Sequence, residues 1–418
     1  MSGLVVNSHQ RVDRGGGEPP AMPSVALARA PATMNPVLTR AMGAIRAARA
    51  PLPASLTYDV RRGRVCTNGH PGSYAQVWFQ TGGCRLDRRG ECTMCNYGWA
   101  SAVTGEGMVE AVRRALAEAG PVDVLYVSPS GSLLDEDEVP RDALRAILAM
   151  ARAAPGREFL CETRPHTVTE TTASLLHSEL APKQITVEMG LESANSWILR
   201  YSLNKSITLE DYDRAMTLLR AYGIRTFSNV LLGAPFLSEA QAIRDAVASA
   251  RWALSHGTHS VVIFPAHVRR WTLLSWLWEA GLYRPPSLWS LVEVLRTLGP
   301  EHSARVGISW YWQPTGDARI LASPTTCEAC GPRVRQLLHE YRAARRFEHI
   351  EALTCIRCHC KDAWREACAA ATRATTLERL ANAYQRLGRE FARGWWERHG
   401  DDFLAACARE YYVSMGER

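Results

Sequence analysis

Lysine is almost missing from this chain of 418 residues: Lys183, Lys205 and Lys361 are the only three, although Lys and Arg together number 49. Arginine carries nearly all the positive charge. With so much alanine beside it, this reads as the style of a GC-rich coding sequence rather than a functional choice. The net charge of +7 would help a polyanionic substrate approach, but a solvated surface accounts for it. Long apolar runs are also missing. No stretch of eighteen uncharged apolar residues occurs, so no membrane-spanning helix is expected. The first residues lack an apolar core behind basic ones, so no secretory leader is expected and a cytoplasmic location follows. No internal repeat is found. The apolar share of 46% suits a globular chain with a large core, in two or three domains or one large α/β domain with attachments.

Residues 1–35 are rich in Gly, Pro, Ala and Ser and carry no apolar period, which predicts disorder. A helix is expected over Pro36–Ala48, and Pro51 and Pro53 mark a linker reaching to residue 73. From Ala75 short apolar runs alternate with amphipathic segments. Strands are expected at 75–80, 122–128, 158–163, 184–190, 225–232 and 260–265. Helices are expected at 107–119, 141–153, 169–179, 208–222 and 238–256. Such alternation predicts α/β architecture: a parallel sheet with helices outside, six units curling into a (β/α)6 partial or closed barrel. The chemistry then belongs at the carboxyl ends of the strands. This core is expected over 74–285, a cysteine-bearing extension over 286–370, and a helical tail over 371–418. Trp271, Trp276, Trp278, Trp289, Trp310 and Trp312 crowd one stretch and read as core filler or interface.

Cysteine is the informative residue. Twelve occur, and chance would give roughly 0.3 Cys-x-x-Cys pairs, yet three are present: Cys92/Cys95, Cys327/Cys330 and Cys355/Cys358. In a reducing compartment clustered thiols mean metal rather than disulfide. Cys84, Cys92 and Cys95 share one glycine-bearing loop directly after the first expected strand. Three thiolates can wrap one face of an iron–sulfur cube and leave its fourth iron open. The alternative is a zinc knuckle completed by His70 or Cys66. Farther on, Cys327-x2-Cys330 and Cys355-x2-Cys358-x-Cys360 can close a tetrahedral four-sulfur site. Its metal is left open between structural zinc and an auxiliary iron–sulfur cluster, and His339, His349 and His359 are further donors. Cys161, Cys368 and Cys407 read as buried small hydrophobes.

The loop Thr81-Gly82-Gly83-Cys84 through Cys92-Thr93-Met94-Cys95 resembles the cluster loop of radical-SAM enzymes, with a seven-residue first gap where that superfamily usually has three. The string Pro129-Ser130-Gly131-Ser132-Leu133-Leu134-Asp135 resembles the archaeosine-synthase radical-SAM subunit. So do Gly190-Leu191-Glu192-Ser193 and Gly281-Leu282-Tyr283-Arg284-Pro285-Pro286, while Glu162-Thr163-Arg164-Pro165 resembles an element of elongator-like enzymes. The catalytic subunit of elongator is similar more distantly. The resemblance covers roughly residues 70–368. It implies a [4Fe–4S] cluster on Cys84, Cys92 and Cys95, and S-adenosylmethionine as cofactor. Met94 would lie near the adenine, and Ser130, Gly131 and Ser132 at the methionyl amine. Glu162 and Arg164 would bind ribose hydroxyls and carboxylate, with Glu188, Glu192 and Asn229 close by. It also implies Cys327, Cys330, Cys358 and Cys360 as the second ligand set, leaving Cys355 spare; the local pairing would instead use Cys355 with Cys358.

The implied reaction is hydrogen abstraction by a 5′-deoxyadenosyl radical, leading to C–N cleavage, a lyase step, on a 7-deazaguanine–amino-acid adduct or a related natural-product intermediate. The substrate would be a small molecule or nucleoside, or carried on tRNA. Electrons would come from a donor such as flavodoxin or ferredoxin. One rival is an elongator-like tRNA-modifying enzyme, against which stands the lack of a following acetyltransferase domain. Another is a zinc-dependent nucleic-acid-binding protein without radical chemistry, for which the Arg-rich stretch Arg333–Arg346 speaks.

Overall fold

A computed structural model describes residues 34–49, 57–67, 70–98, 103–309, 319–370 and 373–414. Of the segment over residues 1–35 expected to be disordered, residues 1–33 lie outside them, as do Trp310 and Trp312, while Asn35 is ordered as the buried cap of the first helix.

The strands are β1 (Tyr58–Thr67), β2 (His70–Phe79), β3 (Val124–Pro129), β4 (Glu158–Thr163), β5 (Gln184–Glu192), β6 (Arg225–Leu232), β7 (Ser260–Pro265), β8 (Val268–Arg269), β9 (Val306–Ile308) and β10 (Ile320–Ala322). Eight form one sheet in the order β1-β2-β3-β4-β5-β6-β7-β9, and β8 pairs with β10. Among the described residues only β1 runs antiparallel to its neighbour in the large sheet, and the other pairings there are parallel. Helices α1 (Pro36–Ala47), α2 (Arg85–Arg88), α3 (Gly105–Ala119), α4 (Arg141–Ala153), α5 (Glu170–Leu180), α6 (Ser196–Tyr201), α7 (Leu209–Ala221), α8 (Glu239–Ser255), α9 (Leu273–Glu279) and α10 (Leu288–Leu298) accompany it. Then come α11 (Gly331–Ala344), α12 (Glu348–Cys355), α13 (His359–Ala370), α14 (Arg373–Phe391) and α15 (Arg393–Ser414). The fold is the expected α/β partial barrel built on six βα units.

Local chemistry sets the boundaries. Thr169, Thr208, Ser238 and Thr272 each close a capping box at a helix start, the side chain accepting from the third residue's backbone N–H and the cap's own N–H donating to that residue's side chain. On β4, Phe159, Cys161 and Thr163 are buried while Glu158, Leu160 and Glu162 are less so. This period of two sends one set to the helix layer and the other to the barrel interior. The main core packs both β-sheet and helix residues, from Ala75 and Val77 through Leu148, Val187 and Leu295 to Val334, Leu338 and Leu353. A second core joins Leu38 and Met42 of α1 to Trp197, Tyr384, Cys407 and Tyr411.

Three expectations are corrected. Residues 58–67 are not linker but the edge strand β1, paired in register from Tyr58↔Phe79 to Thr67↔His70. Charged Asp59, Arg61, Arg62 and Arg64 dilute its apolar period, so pairing with β2, not local pattern, makes it a strand. The sheet also gains β9, whose three residues are too few to show a period. Helix α11 packs on β1, and Tyr341 on it donates to the Val306 carbonyl of β9 at 2.8 Å. The C-terminal segment therefore touches both edge strands of the sheet. Cys161 and Cys407 are buried as expected, but Cys368 is only half-buried, because α13 is an outer helix. No helix among the described residues is long and apolar enough to cross a membrane.

Candidate active site and four-thiol centre

Strand β2 ends at Phe79, and Cys84 follows as the cap of the one-turn helix α2. The three-cysteine loop is tied on several sides. The Cys84 amide donates to the Tyr97 carbonyl at 2.9 Å. The Cys92 and Thr93 amides donate to the carbonyls of Asn204 and Leu203, both at 3.0 Å. The Thr93 hydroxyl donates to Ser202 at 2.9 Å. The three thiols lie at the carboxyl end of the barrel, as the chain pattern requires.

Their electrostatics differ. Burial pushes the Cys84 thiol up to about 11, against the opposing pull of Arg164, whose Nη1 lies 3.3 Å from the sulfur. Cys92 is drawn down to about 6 by a hydrogen bond from the Cys95 thiol, helped by the charges of Lys205 and Arg46. Cys95, the donor of that pair, is raised. A thiolate already favoured at Cys92 suits a metal ligand.

The β3-end turn meets this loop. Ser130 Oγ accepts from the Thr81 amide at 2.9 Å. Gly131 has φ +149, and a Cβ there would lie 2.1 Å from Glu138 Oε2 and 3.4 Å from Cys84 Cα, so only glycine fits. Ser132 bonds Thr163 Oγ1 at 2.6 Å and accepts from the Arg164 amide at 3.0 Å. Glu138 organises the crossing: its carboxylate accepts from the amides of Arg85 (2.6 Å) and Ser132 (2.7 Å) and pairs with Arg164 (2.7 Å). Arg164 also pairs with Asp135. Beside them His166, whose Nε2 lies 3.3 Å from Arg85, is lowered to about 4 by burial and the two arginines, and is neutral.

Below lies an acidic interior. Glu162 and Glu188 are register partners on β4 and β5, hence on one face. Ser128 donates to Glu162 at 3.1 Å. Tyr126 donates to Glu188 Oε2 at 2.6 Å, and Asn229 donates to Oε1. Burial, then the neighbouring Glu188, lifts Glu162 to about 8. Burial raises Glu188 as well, opposed by its two donors. Glu192 stands at a register shift of β5 with φ +65, a bulge that re-aims its side chain. Lys205 answers it at 3.1 Å and also bonds the Gly190 carbonyl at 2.7 Å. Met94 packs against the second core.

The structure thus places Cys84, Cys92, Cys95, Ser130, Gly131, Ser132 and Arg164 together at the carboxyl end of the strands, Glu192 at the end of β5, and Glu162, Glu188 and Asn229 in the interior below them. Sequence reasoning missed Arg46, Asp87, Glu138 and Tyr126. Glu138 carried one signal, an acidic residue shortly after the Gly-bearing turn; Arg46 carried none.

The second cysteine group closes where α11 and α13 begin. Cys327, Cys330, Cys358 and Cys360 put all four sulfurs within 4.8 Å of one another. Neighbouring sulfurs stand at 3.4 Å (Cys327–Cys358, Cys330–Cys360), 3.5 Å (Cys327–Cys330) and 3.6 Å (Cys358–Cys360). Cys355 is exposed and outside the set. Trp289 Nε1 donates to Cys360 Sγ at 3.2 Å. Lys361 lies 4.8 Å over the Trp289 ring and caps the Thr354 and Ile356 carbonyls at 2.7 and 3.0 Å. Backbone and thiol hydrogen bonds draw Cys327 down to about 6, and burial pushes Cys330 up to about 12.

Against known proteins, the chain is 32% identical over 310 residues to archaeosine synthase subunit beta of Methanosarcina acetivorans, a match covering 73% of this chain and 87% of the relative. Archaeosine synthase subunit beta of Thermococcus kodakarensis is 29% identical over 315 residues, 71% of this chain and 92% of that one. Among solved structures, the archaeal Elp3 of Methanocaldococcus infernus is similar with a TM-score of 0.41 and 16% identity, over 57% of this chain and 59% of the other. No family model matches.

Proposed function

The chain belongs to the archaeosine synthase subunit beta family, the family its motifs resemble, and from that premise we propose that it is a radical-SAM lyase cleaving a C–N bond on a 7-deazaguanine–amino-acid adduct. The observation that carries the reading is that three thiols of one loop and a Gly-bearing turn meet at the carboxyl end of the parallel strands, above two interior carboxyls paired in register. Cys84, Cys92 and Cys95 would hold the [4Fe–4S] cluster. Donors of this kind fit: three thiols on one loop, one already favouring the thiolate, with Arg164 beside another. When bound, the cluster supplies the electron that splits S-adenosylmethionine into methionine and a 5′-deoxyadenosyl radical.

The chain's own groups then bind and orient. Ser130, Gly131 and Ser132 offer a turn that backbone can bring close to the cofactor's amine. Glu162 and Arg164 flank it, and Met94 lies beside the loop. Glu188 accepts on both oxygens, from Tyr126 and Asn229, and these two donors favour its ionised form against burial. Glu162, lifted to about 8, keeps its proton at neutral pH. One neutral carboxyl donor beside one carboxylate suits a substrate that carries both an acceptor and a cationic amine. The relatives are beta subunits by name, and a partner subunit and a tRNA-borne base are proposed here on that ground.

The four-thiol centre is proposed to hold one zinc ion. Ligands bound at ~2.3 Å in a tetrahedron stand about 3.8 Å apart, close to the observed 3.4–3.6 Å. A cube spreads its thiolates over four irons and sets them farther apart.

The test is anaerobic reconstitution of the full chain, followed by reduction with S-adenosylmethionine and a 7-deazaguanine–lysine adduct, free and on tRNA. Formation of 5′-deoxyadenosine with loss of the adduct is expected. Zinc without iron or sulfide would instead favour the nucleic-acid-binding reading, for which the exposed Arg333, Arg342 and Arg346 of the α11 region speak.

A further inference from the structure

Arg46 lies in the last turn of α1, outside every motif considered above. Its side chain is 4% exposed. Nη1 donates to the carbonyls of Asp87 (2.8 Å) and Glu91 (3.0 Å). Nη2 donates to the carbonyl of Cys92 and, at 3.1 Å, to that of Cys95. Its Nε lies against the Asp87 carboxylate, which is fully buried and also takes Arg49 Nη1 at 2.7 Å and the Gly98 amide. One side chain from outside the loop therefore holds the spacer between the first two cysteines and the backbone of the last two.

The spacer needs such a hold. Seven residues separate Cys84 from Cys92, and a free segment of that length visits many conformations. Within it, besides the single turn of α2, the Gly90 amide bonds the Asp87 carbonyl at 3.1 Å and the Glu91 amide bonds Leu86 at 3.0 Å. Helix α1 lies directly on it: Gly90 has φ +74, and a Cβ there would sit 2.7 Å from the Thr39 carbonyl. Asn204 fastens the other side, donating to the Gly90 carbonyl at 3.3 Å and to Thr39 Oγ1 at 3.2 Å. The four Nη donors of a planar fork match four carbonyls while its Nε keeps ion-pair contact with a carboxylate; an ammonium on a flexible stem does not offer this geometry.

We infer that Arg46 is the positioning residue of the cluster loop: its guanidinium fixes the Cys92–Cys95 limb against Cys84 and places a buried positive charge beside the cluster. The inference rests on the reading of these thiols as cluster ligands. A fixed cation near the cluster favours the more negative, reduced state, so its removal lowers the reduction potential.

The experiment compares anaerobically reconstituted wild type, R46Q, R46K and R49Q as full chains. It reads iron and sulfide kept after a chelator challenge, the electron paramagnetic resonance of the reduced cluster, its midpoint potential, zinc content and thermal melting. R46Q is expected to lose iron roughly tenfold more readily, the scale for a lost outer partner of a metal ligand, and to show a lowered potential. R46K keeps the charge without the fork, so its potential stays near wild type while its resonance broadens and iron is still lost. R49Q should match wild type, because Arg49 reaches Asp87 and Asn96 but no cysteine carbonyl. An R46Q chain with unchanged iron, resonance and potential overturns the inference, and so does an R49Q chain that fails as R46Q does. If R46Q does not fold, R46K against R49Q decides by the same readouts. A wild type that takes up no iron and sulfide overturns the cluster reading and this inference with it; a wild type with its cluster beside an indifferent R46Q overturns this inference alone.

Discussion

Glu162 and Glu188 meet at paired register positions, and two carboxylates so placed in a buried interior cannot both ionise cheaply. The folded chain lifts Glu162 to about 8 from an ordinary value of 4.5. Below 4.5 both folded and unfolded states hold the proton, and nothing is lost. As pH rises from 4.5 to about 8 the unfolded chain releases a proton that the folded chain keeps, so stability falls across that window. Glu162→Gln is expected to remove most of the fall, on the order of 1–2 kcal/mol between pH 5 and 8, measured by denaturant midpoints across pH. An unchanged pH slope would show that Glu162 is already solvated. At the thiols, Cys92→Ala is expected to abolish 5′-deoxyadenosine formation and iron uptake at the loop while the chain still folds. Full activity in that variant would remove Cys92 from the ligand set.

At the scale of elements, α1 and the four-thiol segment act as fasteners. Helix α1 buries Val37, Leu38, Ala41 and Met42 completely. Its cap Asn35 bonds Tyr384 at 2.7 Å, and Tyr384 in turn donates to Tyr201 at 2.6 Å. Leu38→Ala is expected to cost about 2–5 kcal/mol through lost burial and a residual cavity, read by chemical denaturation. A loss under about 1 kcal/mol would mean that the helix repacks freely. The four-thiol centre binds the start of α11 to that of α13. Replacing Cys327 and Cys330 together by Ala is expected to remove the metal proposed for this centre and to lower stability by several kcal/mol, about 3–5, since structural metal binding contributes folding free energy. Iron at the Cys84 loop should persist. A halving of the iron content would instead mark the second centre as an iron–sulfur cluster.

For the whole molecule, the tail closes the second core. Leu380, Tyr384 and Leu387 of α14 and Cys407 and Tyr411 of α15 pack with α1 and α6, Trp197 bonds the Cys407 carbonyl at 2.9 Å, and Gln241 bonds Tyr411 at 2.8 Å. A chain cut after Ala370 is expected to expose this apolar surface, precipitate, and hold less iron, because α1 loses the surface that seats it over the cluster loop. Soluble yield and iron per chain would check this, and a soluble, fully iron-loaded fragment would show that α1 is held by the barrel alone.

The sequence by itself determined the local matter. Long amphipathic periods placed α4, α7 and α8, and short apolar runs placed β6 and β7, because those signals come from neighbours along the chain. The clustered thiols at 84–95 and 327–360 likewise announced metal chemistry, since ligand spacing is a short-range property. The tertiary structure decided what depends on distant partners. It made residues 58–67 a strand by giving them β2 to pair with. It chose Cys358 and Cys360 rather than Cys355 for the four-thiol set, because the start of α13 turns two of the thiols inward. It set Glu162 against Glu188 by strand register, and it brought Arg46 onto the cysteine loop. Each of those contacts joins segments far apart in the chain, and no window along a single sequence contains both halves of such a pair.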